Sequence, residues 1–241
     1  MKVEGRNAVY ELLKTDKEID KILVQKDLKD DASRRLLNVI RSNKVKAQFV
    51  DKHVIEKESE TKRSQGFIAY ISNYSYFELE DIIEATKNKD GFVVVLSEIM
   101  DPHNLGSIIR VCECAGVDGI IIGKDRCVSV NETVMRVSEG AVNHMKVVRV
   151  TNINTSIDKL KENGYWVYGA EAGGTEIYKT NLKGKVCLVV GGEDSGVKKL
   201  TKEKCDQIIS IPMFGKINSL NASVACGVAV YEVVRQRVMG D

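Results

Sequence analysis

The stretch Val186-Cys187-Leu188-Val189-Val190-Gly191-Gly192-Glu193-Asp194-Ser195-Gly196 decides the fold. An unbroken apolar run this short, halted by paired glycines, reads as a strand covered on both faces. Such strands belong to mainly parallel sheets with helices on either side. Working outward, the same region alternates regularly. Strands are expected at Val93–Glu98, Gly119–Ile122, Lys146–Val150, Tyr165–Ala170, Val186–Val190 and Gln207–Ile211. Helices are expected at Leu105–Ala115, Glu132–Ala141, Ile153–Asn163, Lys198–Cys205 and Leu220–Val238. The fold class is therefore α/β, and ligands of such sheets bind beyond the carboxyl ends of the strands.

Glycine and charge divide the 241-residue chain. Residues 1–90 hold only Gly5 and Gly66 of the 19 glycines. Residues 1–76 carry 16 basic and 12 acidic groups, residues 77–90 carry 2 and 5, and residues 91–241 carry 18 and 17. A small basic domain over 1–76, an acidic linker over 77–90 and a larger domain over 91–241 fit these numbers. In the first, helices are expected at Gly5–Lys14, Asp31–Ser42 and Asp51–Glu58, and strands at Ile19–Gln25, Lys46–Val50 and Gly66–Ser72. Phe77–Thr86 reads as a linker helix. The polar stretch Lys57–Gly66 contains Lys62 and Arg63 ahead of a turn glycine, which would suit a phosphate contact. Its composition favours a plain solvated loop.

Apolar residues make up 43% and charged residues 29%, ordinary globular usage that excludes disorder as the main state. No apolar run reaches the ~18–20 residues of a membrane span, and the start, Met1 to Arg6, shows no secretory signal. A net charge of +2 does not announce a nucleic-acid binder, so any RNA contact must come from clustered cations. The six cysteines form no C-x-x-C pair and no zinc spacing with His53, His103 or His144, so no metal is expected. They read as free thiols in a reducing cytoplasm, and a His103–Cys112 nucleophile has little support.

Three strand-ending loops stand out. The first is Asp101-Pro102-His103-Asn104-Leu105-Gly106-Ser107-Ile108-Ile109-Arg110, with Asn104 as a helix N-cap and Arg110 projecting from an otherwise apolar helix. Arg110 suits an ion pair or an anion site. The second is Gly191 to Gly196, where Glu193 lies among glycines and neither the Rossmann nor the Walker spacing is met. The third runs from Ile211-Pro212-Met213 to Ser219-Leu220-Asn221-Ala222-Ser223, with Ser219 as a natural N-cap. The chain has only two prolines, Pro102 and Pro212, and both lie in these loops.

Asp101-Pro102-x-Asn104-x-Gly106-x-x-x-Arg110, Gly191-x-Glu193-x-x-Gly196 and Ile211-Pro212-Met213 through Ser219-Leu220-Asn221-x-Ser223-x-Ala225 resemble the three motifs of the SpoU/TrmH family, in order and spacing. These are S-adenosylmethionine-dependent RNA ribose 2′-O-methyltransferases of the SPOUT class. The chain looks most like the RlmB-type branch, which methylates a 23S ribosomal RNA guanosine. The resemblance implies a SPOUT parallel-sheet domain with a deep trefoil knot. It also implies an N-terminal RNA-substrate-binding domain, a homodimer with the final helix near the interface, and S-adenosyl-L-methionine as cofactor. It assigns Arg110, Asn104 and Glu193 to catalysis, and Gly191, Gly192, Ile211, Met213, Ser219, Leu220 and Asn221 to the cofactor. Ser97-Glu98 departs from the family, which often has Asp followed by a small or acidic residue. The rivals are a non-catalytic RNA-binding protein, a nucleotide-dependent oxidoreductase lacking the Rossmann spacing, and a family member acting on transfer RNA.

Overall fold

The computed structural model describes residues 2–15, 17, 19–43, 45–71, 74–192 and 196–239. The chain divides into two compact units, Met1–Ser75 and Tyr76–Asp241.

The first unit runs β1 (Lys2–Glu4), α1 (Arg6–Leu12), β2 (Ile19–Gln25), α2 (Asp31–Ser42), β3 (Ala47–Val50), α3 (Lys52–Glu58) and β4 (Phe67–Ile71). Its sheet has the order β1-β4-β2-β3, with β2 and β3 parallel and β4 antiparallel to both neighbours. Strand alternation sorts the core. Ile22, Val24, Phe67 and Ala69 pack with Val9, Leu36 and Ile40, while Leu23 and Ile68 pack with Ile55 of α3. Asp30 caps α2 by accepting from the Ser33 amide at 2.9 Å. Strand β1 is too short and too polar to be read from Lys2-Val3-Glu4, and pairing with Ile68–Tyr70 creates it. Ser72, the far end of the last strand expected here, lies outside the described residues.

The second unit contains α4 (Leu79–Ala85), β5 (Phe92–Ser97), α5 (Pro102–Cys114), β6 (Gly119–Gly123), α6 (Glu132–Val137), β7 (Val147–Val150), α7 (Ile153–Glu162), β8 (Trp166–Glu176), β9 (Val186–Gly191), α8 (Lys199–Lys204), β10 (Gln207–Ser210) and α9 (Ala222–Val238). Six parallel strands take the order β10-β8-β9-β5-β6-β7. Residues 92–97 and 186–190 are buried throughout, as a strand covered on both faces requires. Helix α6 is shorter than the expected Glu132–Ala141, and Ala141–Asn143 form a separate 3₁₀ turn beyond Gly140.

The acidic segment read as a linker belongs to the second unit. Leu79 and Ile82 of α4 are buried among Val93, Val95, Ile121 and Val148. Gly119 admits Ile82, since a Cβ there would fall 2.2 Å from its Cδ1. Strand β8 outlasts the expected Tyr165–Ala170 because β10 shifts register between Ile208 and Ile209 and pairs on to Thr175 and Glu176. A Cβ on Gly174 would lie 2.5 Å from the Ile208 carbonyl oxygen, so this glycine lets two strands approach.

Among the described residues no helix is long and apolar enough to cross a membrane.

Candidate active site

The sheet order brings two of the three loops together. Strands β5 and β9 are neighbours, and Ser97 pairs with Gly191 where both strands end. The chain leaves these ends as the Glu98–Asp101 and Gly191–Gly196 segments.

The Asp101 side chain, not that of Asn104, caps α5, accepting from the His103 amide at 3.0 Å. Pro102 occupies the first helical position, where its missing N–H costs nothing. Asn104 therefore sits three residues past the cap and is buried in the first turn. Its Oδ1 accepts from the Asn221 Nδ2 at 2.9 Å. Asn221, not Ser219, caps α9. Its Oδ1 accepts from the Ser223 amide at 3.0 Å, the Ser223 hydroxyl at 2.6 Å and the Val224 amide at 3.4 Å. The helix accordingly starts at Ala222, later than the expected Leu220. One amide pair thus joins the first loop to the third.

Gly191 and Gly192 are required by the protein's own packing. A Cβ on Gly191 would lie 2.0 Å from the Gly196 carbonyl carbon, and one on Gly192 would lie 2.6 Å from the Glu98 carbonyl oxygen. The Gly196 amide donates to the Gly192 oxygen at 2.9 Å, closing the loop. Glu193, Asp194 and Ser195 lie outside the described residues. Glu98 itself has left-handed backbone, φ 63°. Its mostly buried carboxylate pairs with Lys198 at 2.7 Å and Arg126 at 3.1 Å, joining the segments after β6 and β9. Sequence reading missed Glu98 as a tie.

Beyond β10, Ile211 and Pro212 are half-buried, and every residue from Met213 to Leu220 is exposed. Met213, Leu220, Phe214 and Ile217 thereby present apolar surface next to Ser219 and the Asn221 cap.

Arg110 follows Asn104 by six residues, about 120° round the helix. It faces α6 and not Asn221. Its Nη1 pairs with Glu139 Oε1 at 2.8 Å, and both side chains are half-exposed or more. Arg110, Glu139, Arg136, Ser107 and Tyr231 line a recess of about 530 Å³. Gly106 sets this arrangement, because a Cβ there would fall 2.7 Å from Val137 Cβ and force α5 and α6 apart. Glu139 and Arg136 escaped the sequence reading. The Glu139-Gly140 pair after α6 was the available signal, since both residues have positive φ, 47° and 88°.

The thiols lie outside this chemistry. Cys112 and Cys226 are buried against each other between α5 and α9, and their hydrogen bond and burial push the Cys112 thiol up. Burial also pushes Cys205 up to about 11. His103 is exposed while Cys112 is buried, which removes the His103–Cys112 pairing.

A parallel α/β sheet with loops leaving neighbouring strand ends, the first and third of them tied through Asn104 and Asn221, has the form of a ligand-binding domain. Comparison with known proteins supplies the family. Residues 91–231 match the model of the SpoU rRNA Methylase family, and residues 2–77 match that of RNA 2′-O ribose methyltransferase substrate binding. A protein of Staphylococcus saprophyticus named as a TrmH family tRNA/rRNA methyltransferase is 42% identical over 99% of this chain and 97% of its own. A Bacillus subtilis protein named in the same way is 39% identical over 98% and 95%. Among solved structures, the SpoU methyltransferase AviRb of Streptomyces viridochromogenes, in complex with AdoMet, has a TM-score of 0.64 at 22% identity, covering 99% of this chain and 90% of that one. An AdoMet-bound rRNA methyltransferase of Sinorhizobium meliloti gives 0.62 at 22% identity, covering 99% and 87%. The chain belongs to the SpoU/TrmH family of RNA methyltransferases.

Proposed function

We propose that the protein transfers a methyl group from S-adenosyl-L-methionine to the ribose 2′-hydroxyl of a guanosine in 23S ribosomal RNA. The observation that carries this reading is the Asn104–Asn221 hydrogen bond, which unites the first and third motif stretches beside the Gly191–Gly192 strand end.

The residues fit the cofactor. Ile211, Met213 and Leu220 would offer apolar surface to an adenine, and Gly191, Gly192, Ser219 and Asn221 would complete its pocket. When bound, the cofactor supplies an electrophilic methyl group on a sulfonium. The chain's own task would be to align the ribose 2′-oxygen with that methyl group. The hydroxyl proton must leave during attack. Guanidinium groups remain protonated at physiological pH, so Arg110 acts by holding a phosphate and stabilising the developing alkoxide. Glu193 handles the proton, and Asn104 orders the loop around the reacting ribose. Arg110 exchanges Glu139 for the RNA phosphate, a feasible step because an exposed ion pair is worth only about 0–1 kcal/mol.

We also assign a trefoil knot to the segment after β9, a homodimer with α9 near its interface, and cytoplasmic action. The match of residues 2–77 to a substrate-binding model supports a structured RNA target. The tRNA/rRNA names of the relatives support transfer RNA as the second reading.

The test is methyl transfer from labelled cofactor to total RNA. Wild type should label 23S RNA, and Arg110→Ala should label none while still binding the cofactor. Near-normal transfer by that variant would refute the assignment.

A further inference from the structure

In the first unit β1 is an edge strand, and the segment after α3 is fastened to it. Glu4 Oε2 accepts from the Ser59 hydroxyl at 2.7 Å, the Thr61 hydroxyl at 2.5 Å and the Thr61 amide at 3.2 Å, and Oε1 accepts from the Glu60 amide at 2.6 Å. Lys2 Nζ donates to the Glu58 carbonyl at 3.2 Å and its carboxylate at 3.0 Å. Beyond these ties the Arg63 amide donates to Thr61 Oγ1 at 3.2 Å, and Gln65 Oε1 accepts from the Arg6 amide at 3.2 Å. Lys62 and Gln65 hold left-handed backbone, φ 57° and 48°. The loop is exposed over Glu60–Arg63, as its composition favours, and these bonds also tie it down.

The bonds leave the nearby carboxylates of Glu4 and Glu58 occupied within the unit, Glu58 also accepting from the Tyr70 hydroxyl at 2.5 Å. Glu60 pairs with Lys2 at 3.7 Å. Lys62 and Arg63 stand exposed at the apex with no carboxylate partner among the described residues. Two adjacent cations on a backbone fixed before binding suit a phosphodiester chain, because little ordering remains to be done on contact.

We propose that Lys62 and Arg63 contact the phosphate backbone of the RNA substrate, and that Glu4 is the positioning residue that presents them. The proposal rests on the RNA-methyltransferase reading and adds the loop through which the first unit grips RNA.

The test is binding of full-length protein to a 23S ribosomal RNA transcript across a salt series. In the double variant Lys62→Ala/Arg63→Ala, the slope of log K against log salt should shrink in magnitude by about 1.4–1.8, the loss of two phosphate contacts. Cofactor affinity and melting temperature should not change. Glu4→Gln should weaken RNA binding in the same direction with both cations still present. An RNA affinity and salt slope equal to wild type in the double variant would overturn the proposal while leaving the methyltransferase reading intact. Failure of the wild-type protein to bind or methylate RNA would overturn both.

Discussion

Asn221 Nδ2 donates to Asn104 Oδ1 at 2.9 Å across 117 positions of sequence. The bond ties the N-terminal turn of α5 to the N-cap of α9, so the two helices start in a fixed relation. Asn221→Ala should cost about 1–2 kcal/mol, since it also removes the helix cap. A double-mutant cycle with Asn104→Ala, followed by urea unfolding, should show coupling of about 0.5 kcal/mol or more. Additive losses would mean that the two amides do not act together.

Glu98 combines left-handed backbone with two cationic partners. Glu98→Gln should destabilise the protein by about 1–3 kcal/mol, as buried charge-assisted bonds are lost. Glu98→Gly loses the same bonds but relieves about 1 kcal/mol of backbone strain. The glycine variant should therefore melt higher than the glutamine variant. The reverse order would show that the strain is negligible.

Gly191→Ala must push a Cβ into the Gly196 backbone, which no side-chain rotation can relieve. The expected loss is about 1–3 kcal/mol, with a weaker affinity for S-adenosylmethionine in calorimetry. Gly116→Ala, whose added Cβ meets nothing within 4 Å but whose φ is 71°, controls for backbone strain alone.

Stability at low pH should report on Glu4. Burial opposes ionisation of its carboxyl, but the bonds from Thr61, Ser59 and the Glu60 and Thr61 amides outweigh it and hold the pKa at about 2. An unfolded glutamate titrates near ~4.3. The contribution is therefore fully present above that value and is lost as pH falls towards 2. Carboxyl-resolved NMR titration should find Glu4 still ionised at about pH 3. A midpoint near 4 would contradict the hydrogen-bond geometry.

Much of this was legible in sequence because the signals are local. The run Val186–Val190 had the length and uniform apolarity of a buried strand, and residues 186–190 are buried. The motif residues Asn104 and Asn221 are legible, but their capping roles are not. Asp101 before Pro102 meets the first-turn rule better than Asn104, and Ser219 lies two residues too early. Long-range pairings were not legible. Arg110 meets Glu139 only because Gly106 lets α6 pack closely on α5. The Ser59–Arg63 loop is exposed from Glu60 on, as its composition suggests, but its ties to Glu4, more than fifty positions away, are not legible locally. Leu79 and Ile82 pack α4 into the core despite the acidic charge between them, so charge alone does not mark that segment's place in the fold.

The assigned chemistry takes place at a ribose. Its most direct measurement is a map of 2′-O-methylation across total RNA from cells with and without the gene. The expected result is loss of methylation at one 23S guanosine, restored by the wild-type gene and not by Arg110→Ala. An unchanged ribose map would contradict the assignment, and a loss confined to transfer RNA would contradict the ribosomal target.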